Sequence, residues 1–200
     1  FNPNERQNIT DVNFINRVTK GVYELGSVFK PFTFASALNE KMIEPETQFL
    51  NLPKSIPCDQ FEIGEYSDDI PSDLTAEQIL IRSGNVGSVK IAQKVGPDNL
   101  KLFLEKIGIL NKIEFDIEEV GKPQAIDWYQ GCKLETVSYG QGITTTILQL
   151  AKGYAIISNG GYDINPTLIS KMVRKGNRII NKEVSDKVVK ILRKIVNTEN

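Results

Sequence analysis

Ser27-Val28-Phe29-Lys30 puts a hydroxyl and an amine three residues apart. On a helix that spacing places both side chains on one face, within reach of each other. A serine beside a lysine is a nucleophile beside a base, provided burial or a nearby cation lowers the amine's pKa. A helix N-terminus adds backbone N–H groups and partial positive charge where an oxyanion would form. The chain holds no histidine, so Ser-His-Asp and Cys-His machinery is excluded and the commonest zinc ligand is missing. Lysine is the base that remains. Taken alone, Ser-x-x-Lys reads first as a capping serine and a surface lysine.

A second pair changes that reading. Ser83-Gly84-Asn85 follows 56 residues later, at the break between two helical patterns. A hydroxyl there could relay a proton to a leaving amine, and an asparagine amide could hold a substrate carbonyl. By itself Ser-x-Asn is an ordinary turn or cap. The two pairs in this order, each at a helix end, carry far more weight than either.

The elements that must position these groups follow from periodicity. Val28, Phe29, Phe32, Ala35, Ala37 and Leu38 lie mostly at helical spacings, and Pro31 is tolerated only near a helix start, so the first helix opens close to Ser27. Residues 43–74 hold prolines and scattered acids and read as a long excursion with short strands at best. A second helix begins near Thr75 with Gln78 as its capping-box partner, a third runs over about 86–95, and a fourth from Pro97 to Gly108. Residues 111–145 read as loop-rich, with Trp128 and the flexible Ser138–Gly142. An amphipathic helix over 146–158 closes at Asn159-Gly160-Gly161. Residues 167–173 and 178–181 read as a hairpin turning at Lys175-Gly176-Asn177, its basic residues solvated. Ser185 is read as the cap of a last helix whose Val188, Leu192, Ile195 and Val196 form one apolar face.

With 200 residues, 40% of them apolar, the chain is sufficient for one folded domain with a real core. A net charge of −1 gives no basic excess for nucleic acid. No apolar run spans a bilayer, and Phe1-Asn2-Pro3-Asn4 reads as the cut end of something longer. Cys58 and Cys132, 74 positions apart, are read as buried free thiols, with a disulfide as the alternative. Gly140-x-Gly142 reads as a tight turn, and Tyr139, Tyr154 and Trp128 as packing. Asp68-Asp69 and Glu118-Glu119 are too isolated to suggest a metal site.

The stretch from Asn16-Arg17 through Tyr23-Glu24-Leu25-Gly26-Ser27-Val28-Phe29-Lys30-Pro31-Phe32-Thr33 resembles the class B penicillin-binding protein signature "NR…YEPGSTFKPFT", departing at Leu25 and Val28. Ser83-Gly84-Asn85-Val86-Gly87 is similar to that family's "SSNVG", with glycine in the middle. Ser138-Tyr139-Gly140-Gln141-Gly142, Gln149-Leu150-Ala151, Ser158-Asn159-Gly160-Gly161 and Pro166-Thr167 match later segments in order. The resemblance implies an α+β transpeptidase fold, mainly its helical lobe with minor β-structure, over residues 1–200. It implies Ser27 as the nucleophile acylated by D-Ala-D-Ala stem peptides or β-lactams, and Lys30 as its base. Ser83 would pass a proton to the leaving D-alanine, Asn85 would position the acyl group, and the Ser27 N–H would form half of an oxyanion hole.

No cofactor or metal is implied. The implied location is the outer side of a bacterial inner membrane, reached through an anchor upstream of this chain, with cell-wall synthesis or divisome proteins as partners. The family's third motif, Lys-Thr-Gly or Lys-Ser-Gly, does not occur, and the expectation is that the chain stops short of it. Two other readings share these motifs: a serine β-lactamase, disfavoured because no acid announces itself as the base for deacylation, and a non-catalytic β-lactam-sensing or divisome-interaction module.

Overall fold

The structure, a computed structural model, describes residue 4, residues 14–170 and residues 175–197. The chain opens with β1 (Val22–Glu24), a 3-10 turn (Gly26–Phe29) and α1 (Lys30–Asn39). Four short strands and α2 follow: β2 (Gln48–Phe49), β3 (Ser55–Cys58), β4 (Phe61–Gly64), β5 (Leu74–Thr75) and α2 (Ala76–Ile81). Next come α3 (Asn85–Val95), α4 (Pro97–Lys106), α5 (Lys133–Val137), β6 (Thr144–Thr146) and α6 (Ile147–Ser158). The last elements are β7 (Tyr162–Ile164), β8 (Lys175–Arg178) and α7 (Lys182–Asn197). The strands form four antiparallel pairs, β1–β6, β2–β5, β3–β4 and β7–β8.

α1 is the centre of the core. Every residue from Lys30 to Leu38 is buried, as expected of a helix with apolar residues on all sides. Phe29, Phe32 and Tyr154 form an aromatic chain with ring centroids 5.7 and 5.1 Å apart. α6 approaches this chain closely at Gly153, where an added Cβ would sit 2.8 Å from the Phe32 ring. α2 and α6 each begin with a full capping box, Thr75 with Gln78 and Thr146 with Gln149. The buried Gln149 also donates to the carbonyls of Gly108 and Asn111, tying the loop after α4 to the start of α6.

Several sequence expectations are corrected. Cys58 and Cys132 form a disulfide, with Cα atoms 5.5 Å apart, that links β3 to the start of α5. The free-thiol reading failed because the partner lies across a packing contact that no local pattern reveals. Lys175-Gly176-Asn177 is not a hairpin turn but part of β8, which pairs with β7. Residues 171–174 of that expectation lie outside the described residues. Lys175 and Arg178 stack on the Tyr162 ring, 3.4 and 4.2 Å from its centroid, so this basic stretch is partnered as well as solvated. Ser185 does not cap α7 but lies inside it, buried, accepting from the Gly160 N–H and donating to the Ile157 carbonyl. The buried face of α7 is Val184, Ser185, Val188 and Ile191, whereas Val196 is 83% exposed. α5 is a helix where only loop was expected.

The disulfide closes a separation of 74 residues. In the chain-entropy picture a loop of that size restricts the unfolded ensemble by about 4 kcal/mol. Reduction should therefore lower the denaturant midpoint markedly, as read by unfolding titrations with and without dithiothreitol. An unchanged midpoint would count against the bond.

Candidate active site

Three segments converge on the start of α1. Ser27 sits in the 3-10 turn and is exposed, while Lys30, the first residue of α1, is only 2% exposed. Residues i and i+3 eclipse one another in a 3-10 turn, which keeps the two side chains on one side. The turn is held from outside. Gly26 N–H donates to the Gly140 carbonyl at 3.0 Å, and Thr33 Oγ1 donates to the Ser138 carbonyl at 2.8 Å. Tyr154 Oη donates to the Val28 carbonyl at 2.7 Å. Burial pushes the Tyr154 phenol up to about 12, so it remains a donor across the ordinary pH range. β1 pairs with β6, and Glu24 accepts from the Gly142 N–H, so residues 138–146 brace the approach to Ser27.

The ammonium of Lys30 turns toward the second motif. It donates to Ser83 Oγ at 2.9 Å, to Asn85 Oδ1 at 2.8 Å and to the Ser83 carbonyl. All three of its donors are thereby used. Among the described residues, Ser27 Oγ makes no hydrogen bond, so Lys30, Ser83 and Asn85 are joined directly and Ser27 stands at the edge of the group. Sequence spacing had suggested a direct serine–lysine contact. The competing acceptors at 83–85 capture the flexible lysine end instead.

Ser83 has φ of +54°, a left-handed conformation uncommon for a residue with a side chain. It turns the chain between α2 and α3 and lets its carbonyl and hydroxyl both face Lys30. Burial lowers the Lys30 pKa from 10.5 to about 8, with Glu65 pulling it back upward. About a tenth of the amine is then neutral at pH 7.

Glu65 is the residue that sequence reasoning missed. It lies just beyond β4, half-buried, and accepts from the N–H groups of Asn85 at 2.6 Å and Val86 at 3.0 Å. Gly64 O accepts from Asn85 Nδ2 at 3.0 Å. The only signal in the sequence is an acid in a turn-rich stretch, with no spacing that ties it to a helix 20 residues on. Gly140 and Gly142 do form a tight turn, and Tyr139 packs against the second core cluster of Ile56, Cys58, Ile63, Val86 and Val89.

Comparisons with known proteins agree with this architecture. The family described as "Penicillin binding protein transpeptidase domain" matches residues 1–200. A peptidoglycan D,D-transpeptidase FtsI homolog of Mesostigma viride is 27% identical over 214 residues, covering 100% of this chain and 36% of that protein. The probable peptidoglycan D,D-transpeptidase PenA of Neisseria flavescens is 27% identical over 197 residues, covering 96% of this chain and 48% of its own length. The chain thus spans less than half the length of these relatives. Among solved structures, the transpeptidase domain of Burkholderia pseudomallei penicillin-binding protein 3 superposes with a TM-score of 0.82 at 25% identity, over 92% of this chain and 56% of the other. A structure titled as a peptidoglycan glycosyltransferase from Burkholderia ambifaria gives a TM-score of 0.83 at 22% identity, over 94% and 60%, and bears on the fold alone.

Proposed function

Because the chain belongs to the penicillin-binding protein transpeptidase domain family, we propose that it serves in serine D,D-transpeptidation of peptidoglycan stem peptides and is acylated by β-lactams at Ser27. The observation that carries this reading is the buried Lys30 bonded at once to Ser83 and Asn85, one turn from an exposed serine. Such a cluster handles protons next to a nucleophile.

In the proposed sequence, Ser27 Oγ attacks the carbonyl between the two D-alanines, and its proton passes to neutral Lys30. A neutral amine has two N–H donors and one lone pair, so one of the three contacts seen for the ammonium becomes an acceptor site for a proton. Ser83 Oγ, already 2.9 Å from Lys30 Nζ, carries that proton to the departing D-alanine amine. The amine of a second stem peptide then attacks the Ser27 ester. It gives up a proton along the same path and Ser27 Oγ regains one, leaving a peptide cross-link. Asn85 orients the acyl group. The Ser27 N–H lies in the first turn of its helix, where helical geometry supplies no partner, and is available to the oxyanion.

The family likeness supports a location on the outer side of a bacterial inner membrane, with cell-wall synthesis or divisome proteins as the partner class. The Cys58–Cys132 disulfide fits an oxidising compartment of that kind. Among the described residues no helix is long and apolar enough to cross a membrane. The names of the relatives give no support to a non-catalytic module.

Incubation with benzylpenicillin, followed by intact-mass measurement and peptide mapping, tests the proposal. One opened β-lactam on the peptide holding Ser27 is the expected result. An unmodified protein, or an adduct on another residue, would overturn it.

A further inference from the structure

The end of β4 touches the second motif twice. Glu65 takes two N–H groups from the first turn of α3, and Gly64 O takes the Nδ2 end of the Asn85 amide. Fixing Nδ2 there leaves Oδ1 facing Lys30 Nζ at 2.8 Å. The left-handed Ser83 and the N-cap Gly84 lie between these anchors and α2, which ends at Ile81. A Cβ added to Gly84 would stand 3.3 Å from Glu65 Oε1, tighter than most Cβ contacts, and 3.7 Å from Oε2, an ordinary contact. Position 84 is therefore small where the carboxylate reaches in. In the similar family segment this position is serine.

Building on the transpeptidase reading above, we propose that Glu65 is the positioning residue for Lys30, Ser83 and Asn85, and that its reach is matched to glycine at position 84. The bidentate carboxylate satisfies two orphan donors at the start of α3 and so fixes where the turn at 83–85 presents its hydroxyl and amide. A shorter acid would leave room at 84 but lose that reach. A larger residue at 84 would push the longer acid away. The two positions are coupled through that shared space.

The charge also matters. Ionisable side chains around Lys30 are Glu65 after β4 and Arg82 before Ser83, together with those on the helices packed against α1: Glu77 on α2, Lys90 and Lys94 on α3, Asp98, Lys101, Glu105 and Lys106 on α4, and the charged residues of α7. Of these, the one acting on the ammonium is Glu65, which holds the Lys30 pKa up against burial. Glu65 is thus a mechanical anchor for the turn and an electrostatic one for the amine.

The test follows benzylpenicillin acylation against pH for the protein and for Glu65→Gln, Glu65→Asp, Gly84→Ser and the double Glu65→Asp/Gly84→Ser variant, with thermal melts as the check on folding. Glu65→Gln should lower the limiting rate about tenfold, the loss expected of a first-turn anchor, and move the pH midpoint below that of the parent. Each of the other single changes should slow acylation by a similar factor, and the double variant should lose no more than the slower single, because the shorter acid has already left the space at 84. A double variant slowed by the product of the two single factors, or a Glu65→Gln profile superimposable on the parent, would overturn the inference while the adduct on Ser27 stood. If the parent forms no adduct, the transpeptidase reading fails separately. A 13C-lysine NMR titration then still reads Lys30 without turnover. There Glu65→Gln must lower its pKa, and an unmoved titration overturns the inference.

Discussion

Replacing Lys30 by methionine is expected to slow acylation of Ser27 by benzylpenicillin by about 10²- to 10⁴-fold, the range for loss of a positioned general base. Methionine keeps an unbranched apolar stem inside the core, with sulfur in place of Cδ, and lacks the nitrogen. The loss should depend on pH in the parent alone. With the Lys30 pKa near 8, acylation rises about tenfold per pH unit below that value and levels off above it. In Lys30→Met the slope disappears. Stopped-flow acylation between pH 6 and 9.5 measures both. An undiminished rate would remove Lys30 from the proposed mechanism.

The same shift has a consequence for stability, with a definite sign. The folded-state pKa of about 8 lies below the unfolded value of 10.5, so between them the unfolded chain binds more protons at this site. Stability from this group therefore rises as pH climbs from about 8 to 10.5, by on the order of 3 kcal/mol for the full shift. Below pH 8 the buried ammonium is a cost carried by the fold, offset in part by its three hydrogen bonds. A denaturant midpoint that rises through this window in the parent and less so in Lys30→Met is the expected result.

Gly140→Ala is expected to damage fold and site together. Gly140 has φ of +89°, and an added Cβ would lie 2.0 Å from the Gly26 carbonyl oxygen and 2.8 Å from Phe29 Cβ. The first obstacle is backbone, which no rotamer change relieves. The turn carrying Ser27 must move or residues 138–142 must, and the Gly26 N–H to Gly140 O bond breaks in either case. The expected loss is about 3 kcal/mol of stability from overpacking and left-handed strain together. Acylation should fall by about 10²-fold if Ser27 is displaced by an ångström. Gly26→Ala provides the contrast, because its φ is +56° but nothing lies within 4 Å of the added carbon. That variant should show only the left-handed penalty of about 1 kcal/mol. Equal losses in thermal melts of the two variants would show that the clash at Gly140 is relieved elsewhere.

What the sequence by itself determined was written in short-range physics. Thr75 with Gln78 announced a helix start, because a capping box closes within four residues. Pro31 and Pro97 marked the first turns of α1 and α4 for an equally local reason, a missing N–H where none is needed. The Ser27–Lys30 and Ser83–Asn85 pairs were visible because each spans one turn, and the order of segments carried the family likeness.

Tertiary packing decided the rest. It sent the Lys30 ammonium to acceptors more than 50 residues away rather than to Ser27. It brought Cys58 to Cys132 across 74 residues, paired β8 with β7 and buried Ser185 inside α7. It also delivered the Glu65 carboxylate to the start of α3, a placement set by the β3–β4 hairpin lying against that helix. Side-chain spacing along a chain fixes which groups share a turn. Which turns meet depends on how the buried faces of α1, α3 and α6 close around one core, and that is a property of the whole fold.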